Sequence, residues 1–245
     1  MKNCLLLLTF NLLSTFCAGQ TKYYSFDQIS AYNIEDFSKM KSLKIEMLKK
    51  KFPKMAVLES YYEIKRNADS IIDNVSFKIM PRSQAKNILK RNKFVGKQFP
   101  FENSNTIDGS NISTFIDNGK PTLVNLWFTQ CPPCIEEIPI LNKIQDEYKD
   151  RINFVAITFD EKFKVLQFFS KVFFDFEHIT DALKITAKLK IQSYPVNYLI
   201  DKNKNIYSTE NGIEYARSDG GQITIGSGDE LRRRLDQLLI YNSNL

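Results

Sequence analysis

Cysteine is nearly absent from the body of this chain. Its 245 residues include four, and two of these, Cys4 and Cys17, fall in the first nineteen positions, which leaves Cys131 and Cys134 as the whole supply beyond them. A disulfide framework of the kind that staples small secreted domains is therefore excluded. Zinc needs four ligands, and the one remaining soft donor is the single histidine, His178, so no metal site is expected. Long apolar runs are also missing. The longest, residues 5–16, is twelve positions long, whereas a bilayer core of about 30 Å takes about 20 helical residues to cross. Internal repeats and low-complexity tracts are absent too.

What remains is a globular composition, 43% hydrophobic and 25% charged, too apolar for disorder and too charged for a membrane bundle. At 28.5 kDa the chain can be one large domain or one ordinary domain with an extension. The net charge of +6 is uneven: residues 20–95 carry 16 Lys and Arg against 8 Asp and Glu, while residues 96–245 carry 17 against 20. These lysines follow helical spacing without any nucleic-acid motif, so no nucleic-acid partner is expected.

Residues 1–19 read as a targeting segment, with Lys2 as the positive start, the twelve-residue apolar stretch, and Cys17-Ala18-Gly19 as a small-residue exit. Cleavage after Gly19 would leave Gln20 as the first mature residue and place the protein in an exported, periplasmic setting. The alternative is a membrane-anchored lipoprotein lipidated at Cys17, against which the bulk of Phe16 argues.

Between residues 34 and 52, Ile34, Phe37, Leu43, Met47 and Leu48 recur at helical spacing until Pro53 stops them. Val57, Leu58, Tyr61, Ile64, Ile71 and Ile72 suggest a second helix, and residues 83–92 a third, which gives a mainly helical extension over residues 20–94. From residue 95 short strands and helices alternate. Asp108-Gly109 marks a turn between residues 99–101 and 112–115. Residues 123–128 and 154–159 read as buried strands, residues 133–148, 162–172 and 182–189 as helices, and residues 196–200 as a strand turning at 201–203 into Ile206-Tyr207. The last helix begins in a capping-box pattern, Ser227 to Glu230, and buries Leu231, Leu235, Leu238 and Leu239. Arg232, Arg233 and Arg234 are assigned to its wet side.

The strand at 123–128 delivers the chain into Cys131-Pro132-Pro133-Cys134, with the two thiols one helical turn apart. A cysteine at a helix N-terminus meets the positive end of the dipole and unpaired backbone donors, which lower its pKa below the ordinary value of about 8.5. Cys131 is accordingly the candidate nucleophile, at the exposed start of the helix, and Cys134 the resolving thiol. A purely structural disulfide closing a four-residue loop would remove little unfolded-state entropy. His178, beside Phe176 and Glu177, has no nucleophile near it in sequence and is read as structural or surface.

The run Gly119-Lys120-Pro121-Thr122-Leu123-Val124-Asn125-Leu126-Trp127 into the C-P-P-C motif, followed by Glu137-Ile138-Pro139, resembles the TlpA/ResA group of thioredoxin-like proteins. Tyr194-Pro195 opening Val196-Asn197-Tyr198-Leu199-Ile200-Asp201, sixty-one residues after Cys134, is similar to the cis-proline strand of that group. Residues 96–101 resemble its opening hairpin, and the likeness covers about residues 95–242.

The resemblance implies a thioredoxin-like α/β fold, a central mixed sheet flanked by helices, over residues 95–245. It also implies a cis peptide before Pro195 and a tuning or proton-relay role for Glu137, whose alternative is an ordinary surface glutamate beside Glu136. Trp127, Gln130, Pro132, Tyr194 and Pro195 are implied to line the substrate surface. Gln130 and Tyr194 depart from the aromatic and smaller residues usual there. Asn125 stands where thioredoxin has a buried carboxylate.

The expected function is thiol-disulfide exchange with no cofactor beyond the Cys131–Cys134 pair. Oxidised exported proteins would be the substrates, and a further protein the electron donor. An isomerase dimerised through its N-terminal region and a non-enzymatic peptide-binding module are the alternatives.

Overall fold

The computed structural model describes residues 20–101, 104–217, 221–243 and 245. The expected targeting segment lies outside them, and no helix among the described residues is long and apolar enough to cross a membrane. The chain divides into two compact units at Leu89/Lys90.

The N-terminal unit is not mainly helical. Strand β1 (Thr21–Ser25) leads to helix α1 (Ile34–Lys51), followed by strands β2 (Met55–Arg66) and β3 (Ser70–Pro81) and by helix α2 (Arg82–Asn92), which runs past the division. The strands form one sheet in the order β1-β3-β2, with β1 parallel and β2 antiparallel to β3. The expected second helix is therefore a hairpin. Its apolar positions can be fitted to helical spacing, but the segment is rich in β-branched and aromatic residues. Asn67-Ala68-Asp69 also supplies a turn in its middle, closed by the Asn67 amide donating to the Ser70 carbonyl at 2.8 Å. Helix α1 is capped by Asn33, whose side chain accepts from the Asp36 amide, and it buries Phe37. The Phe37 ring stacks on Tyr24 at 4.4 Å and on Phe26 at 5.0 Å.

The C-terminal unit is a thioredoxin-like α/β fold. After the short helix α3 (Ser113–Ile116) come β4 (Thr122–Trp127), α4 (Pro132–Tyr148), β5 (Asn153–Thr158), α5 (Lys162–Phe169), β6 (Glu177–Ile179), α6 (Leu183–Lys188), β7 (Val196–Ile200) and β8 (Ile206–Asn211). A small hairpin, β9 (Tyr215–Arg217) and β10 (Ile223–Ile225), precedes the terminal helix α7 (Asp229–Ser243). The main sheet runs β6-β5-β4-β7-β8, with β4, β5 and β6 parallel and β7 antiparallel to both β4 and β8.

Strands β4, β5 and β7 are buried at every position, as strands covered on both faces must be. Leu123, Trp127 and Leu199 point into one core layer with Ile138, Leu141 and Leu235. Val124, Leu126, Val196 and Tyr198 point into the other with Phe99 and Ile185. Each such aliphatic or aromatic side chain contributes about 1.5–3 kcal/mol by leaving water.

Three local expectations are corrected. The expected turn at Asp108-Gly109 is present, with the Gly109 amide donating to the Thr106 carbonyl at 2.9 Å, but it joins Ser104–Thr106 to Ser110–Ile112, while residues 96–99 pair with the chain around Lys204 and Ile206, where Phe99 lies edge-on to Tyr198 at 5.5 Å. Helix α5 is shorter than expected, ending at Phe169, and β6 follows it unannounced by the sequence. Arg234 is not on a wet face: it is buried, with its Nε 3.3 Å from Glu230 and 3.5 Å from Glu210.

Candidate active site

Strand β4 ends at Trp127, and three residues of loop carry the chain to Cys131. There the backbone is still extended (φ −97°, ψ 101°), so Cys131 is the N-cap of α4, and Pro132 and Pro133 occupy the first helical positions, where no N–H is needed. The sulfur of Cys131 accepts the amide hydrogen of Cys134 at 3.3 Å, as a capping oxygen would. Cys131 and Cys134 are bonded to each other as a disulfide. Cys131 is not openly exposed: it is 3% accessible and Cys134 1%. The two sulfurs are thus distinguished by their place on the helix more than by their access to solvent.

One turn further on, Glu137 is buried, not a surface glutamate. Its Oε1 accepts from Asn125 Nδ2 at 2.9 Å and its Oε2 from the Ile213 amide at 2.8 Å. Burial disfavours the charged form and pushes the carboxyl up to about 7, and the two donors hold back a larger rise. Neighbouring Glu136 is exposed and accepts from the Tyr215 hydroxyl at 2.6 Å. Gly212 leaves the space in which Glu137 and Pro195 approach the same stretch of backbone.

The Tyr194–Pro195 peptide is cis. Tyr194 is half-buried and its ring lies edge-on to Phe128 at 5.3 Å and to Phe159 at 5.7 Å. Gln130 and Pro132 are exposed beside the cysteines in sequence.

Trp127, by contrast, cannot contact a substrate. It is fully buried, packed on Phe168, Phe169 and Phe174, because its position in β4 points the indole into the core layer beneath α4. His178 is structural: its Nε2 lies 2.9 Å from the Phe174 carbonyl, and burial drives its pKa down to about 4.

Two parts of the site were missed in the sequence. The aromatic contact of Phe128 and Phe159 with Tyr194 joins residues far apart in the chain and left no local signal. Asn197 does leave one, a lone amide within the apolar strand Val196–Ile200.

A disulfide whose first cysteine caps a helix, a buried carboxyl one turn below and a cis-proline strand make an arrangement suited to opening and closing a disulfide. Among characterised proteins, the thioredoxin-like protein YneN of Bacillus subtilis is 32% identical over 111 residues, covering 44% of this chain and 65% of that protein. The thiol-disulfide oxidoreductase ResA of Bacillus cereus is 28% identical over 115 residues, covering 46% of this chain and 66% of ResA. The matched part is thus just under two thirds of either relative's length. Among solved structures, the thioredoxin domain of a thiol-disulfide oxidoreductase from Bacteroides vulgatus superposes with a TM-score of 0.48 at 19% identity, covering 59% of this chain and 97% of that one. The model of the Redoxin family matches residues 94–223, more than half of the sequence. The chain belongs to the Redoxin family.

Proposed function

We propose that this protein is an exported thiol-disulfide oxidoreductase that reduces disulfides of other exported proteins. The observation that carries the reading is the place of Cys131, whose sulfur caps α4 and accepts the Cys134 amide. A thiolate formed there meets the helix N-terminus and a backbone donor, both of which favour the charged, attacking form.

In the forward cycle the Cys131 thiolate attacks one sulfur of a substrate disulfide, and the other substrate sulfur leaves as a thiolate that takes up a proton. Cys134 then gives its proton to Glu137 and attacks the Cys131 sulfur. That step expels the second substrate sulfur as a thiolate, which takes up a proton, and closes the Cys131–Cys134 disulfide, so two electrons have passed to the substrate. A partner dithiol protein restores the pair. A carboxyl poised near neutrality suits the proton step, since it can accept and return a proton at working pH. Gln130, Pro132, Tyr194 and Pro195 would line the substrate contact, now joined by Phe128 and Phe159.

Substrate trapping tests the reading. Cys134→Ser should accumulate mixed disulfides with exported proteins and Cys131→Ser few, because without Cys134 the covalent intermediate has nothing to resolve it. Equal trapping by the two variants on non-reducing gels overturns the assigned roles. The direction of electron flow is tested by the potential of the pair, which for a reductase should lie nearer −270 mV than −120 mV on the scale of such proteins. Export is tested by N-terminal sequencing of the secreted chain, with Gln20 expected as its first residue; a lipidated start at Cys17 contradicts it.

A further inference from the structure

Asn125 and Asn197 stand directly opposite each other across β4 and β7, and both are buried in strands that are otherwise almost wholly apolar. Two facing amides in a dry sheet cost desolvation unless each polar atom is used. Here they are linked in one sense only. The backbone carbonyl of Asn211, which can do nothing but accept, takes a hydrogen from Asn197 Nδ2 at 3.1 Å. That turns Asn197 Oδ1 toward Asn125, whose Nδ2 donates to it at 2.9 Å. The same Nδ2 donates its other hydrogen to Glu137 Oε1 at 2.9 Å. The orientation of every amide in the series follows from the one group that cannot be turned round, the Asn211 carbonyl.

We infer that Asn197 is a positioning residue for the redox site: by claiming one hydrogen of Asn125 it commits the Asn125 amide to donate to Glu137. Left to itself an asparagine side chain is indifferent. It can offer N–H to a carboxylate, or turn over and offer its oxygen to the hydroxyl of a protonated carboxyl. With Asn197 Oδ1 in place the second arrangement would set two amide oxygens against each other, so the Asn125 amide favours ionised Glu137 and opposes the rise that burial imposes. Asn197 touches neither sulfur and acts through Asn125 alone. The inference rests on the proposed role of Glu137 as the group that takes the proton of Cys134.

The test is a double-mutant cycle read as the titration midpoint of Glu137 in the oxidised protein, followed by carboxyl carbon-13 NMR, which requires no turnover. Asn197→Leu should raise the midpoint by about one pH unit, the size expected when a hydrogen bond to a charged group is lost. In the background of Asn125→Leu the same change should leave the midpoint where it is, because the intermediary is already gone. An equal upward shift in both backgrounds, or none in either, overturns the inference.

Should the leucine variants fail to fold, the unsubstituted protein still decides. The side-chain amide signals of Asn125 should move with the midpoint of Glu137 while keeping one orientation; an amide that turns over when Glu137 is protonated, or that ignores its titration, refutes the proposal. A loss of substrate trapping with this titration result intact would instead count against the oxidoreductase reading.

Discussion

Gly212 lies against Glu137 so closely that a Cβ added to it would sit 2.5 Å from the carboxylate Oε2 and run into the ring of Pro195. Neither neighbour is a loose end. The carboxylate is fixed by the Asn125 amide and the Ile213 N–H, and Pro195 is held at the start of β7. Gly212→Ala should therefore destabilise the oxidised protein by about 1–3 kcal/mol, the usual cost of overpacking a filled site. Urea unfolding measures it, and an unchanged midpoint would show that the backbone there can give way.

Glu137 as base predicts a pH dependence with a definite sign. Resolution by Cys134 needs the carboxylate, so its rate should rise with pH and level off above about 7. Glu137→Gln should remove that inflection and slow resolution by about 100-fold, while attack by Cys131 continues. Stopped-flow decay of a mixed disulfide with a chromogenic thiol separates the two steps.

Stability should carry two opposing pH slopes from buried groups. His178 has its pKa lowered from 6.5 to about 4, so between those values the unfolded chain binds more protons and stability falls as the pH falls. Glu137 is raised from 4.5 to about 7, so it favours folding below 4.5 and that contribution is lost as the pH rises through 7. Each slope is worth up to about 3 kcal/mol. In urea titrations at several pH values, Glu137→Gln should expose the His178 slope, with stability falling from pH 6.5 toward 4, and His178→Phe should expose the opposite one. Variants that keep the parent's pH dependence would contradict both assignments.

The loop before Cys131 is tied down by Asp160, whose Oδ2 accepts both the amide and the hydroxyl hydrogen of Thr129 at 2.7 Å. Lys164 bonds the other oxygen at 2.7 Å. Burial works to raise this carboxyl, but these partners outweigh it and hold it below the usual range. Asp160→Ala should cost about 1–2 kcal/mol, since it takes the acceptor from the half-buried Thr129 donors. It should also quicken alkylation of the reduced Cys131 by loosening the turn that presents it. Thermal melts and iodoacetamide rates check the two effects.

The residues by themselves were enough to specify the C-terminal unit in outline. Its central strands are continuous apolar runs, its turns carry Gly, Asn and Asp, and the cysteine pair with prolines between them fixes where α4 starts. Those are local signals, and local rules read them. The same rules misread residues 55–81, because apolar positions three or four apart can also be found in a segment that alternates. The choice went to strands once β3 could pair on both sides, with β1 and β2, which is a long-range gain invisible to spacing.

The environments of the side chains were likewise decided only by tertiary packing. Sequence places Glu137 on the helical face of Cys134, yet whether it is solvated or buried depends on Asn125, Gly212 and Ile213, which arrive from β4 and from the segment after β8. Trp127 precedes the motif and is placed by sequence on the contact surface, but strand alternation turns it into the core, and Phe128, one residue on, meets Tyr194 instead. The identities of the reacting groups are thus written in the chain. Their protonation, access and orientation are set by neighbours brought from distant positions, because desolvation and hydrogen bonding act through space and not along the backbone.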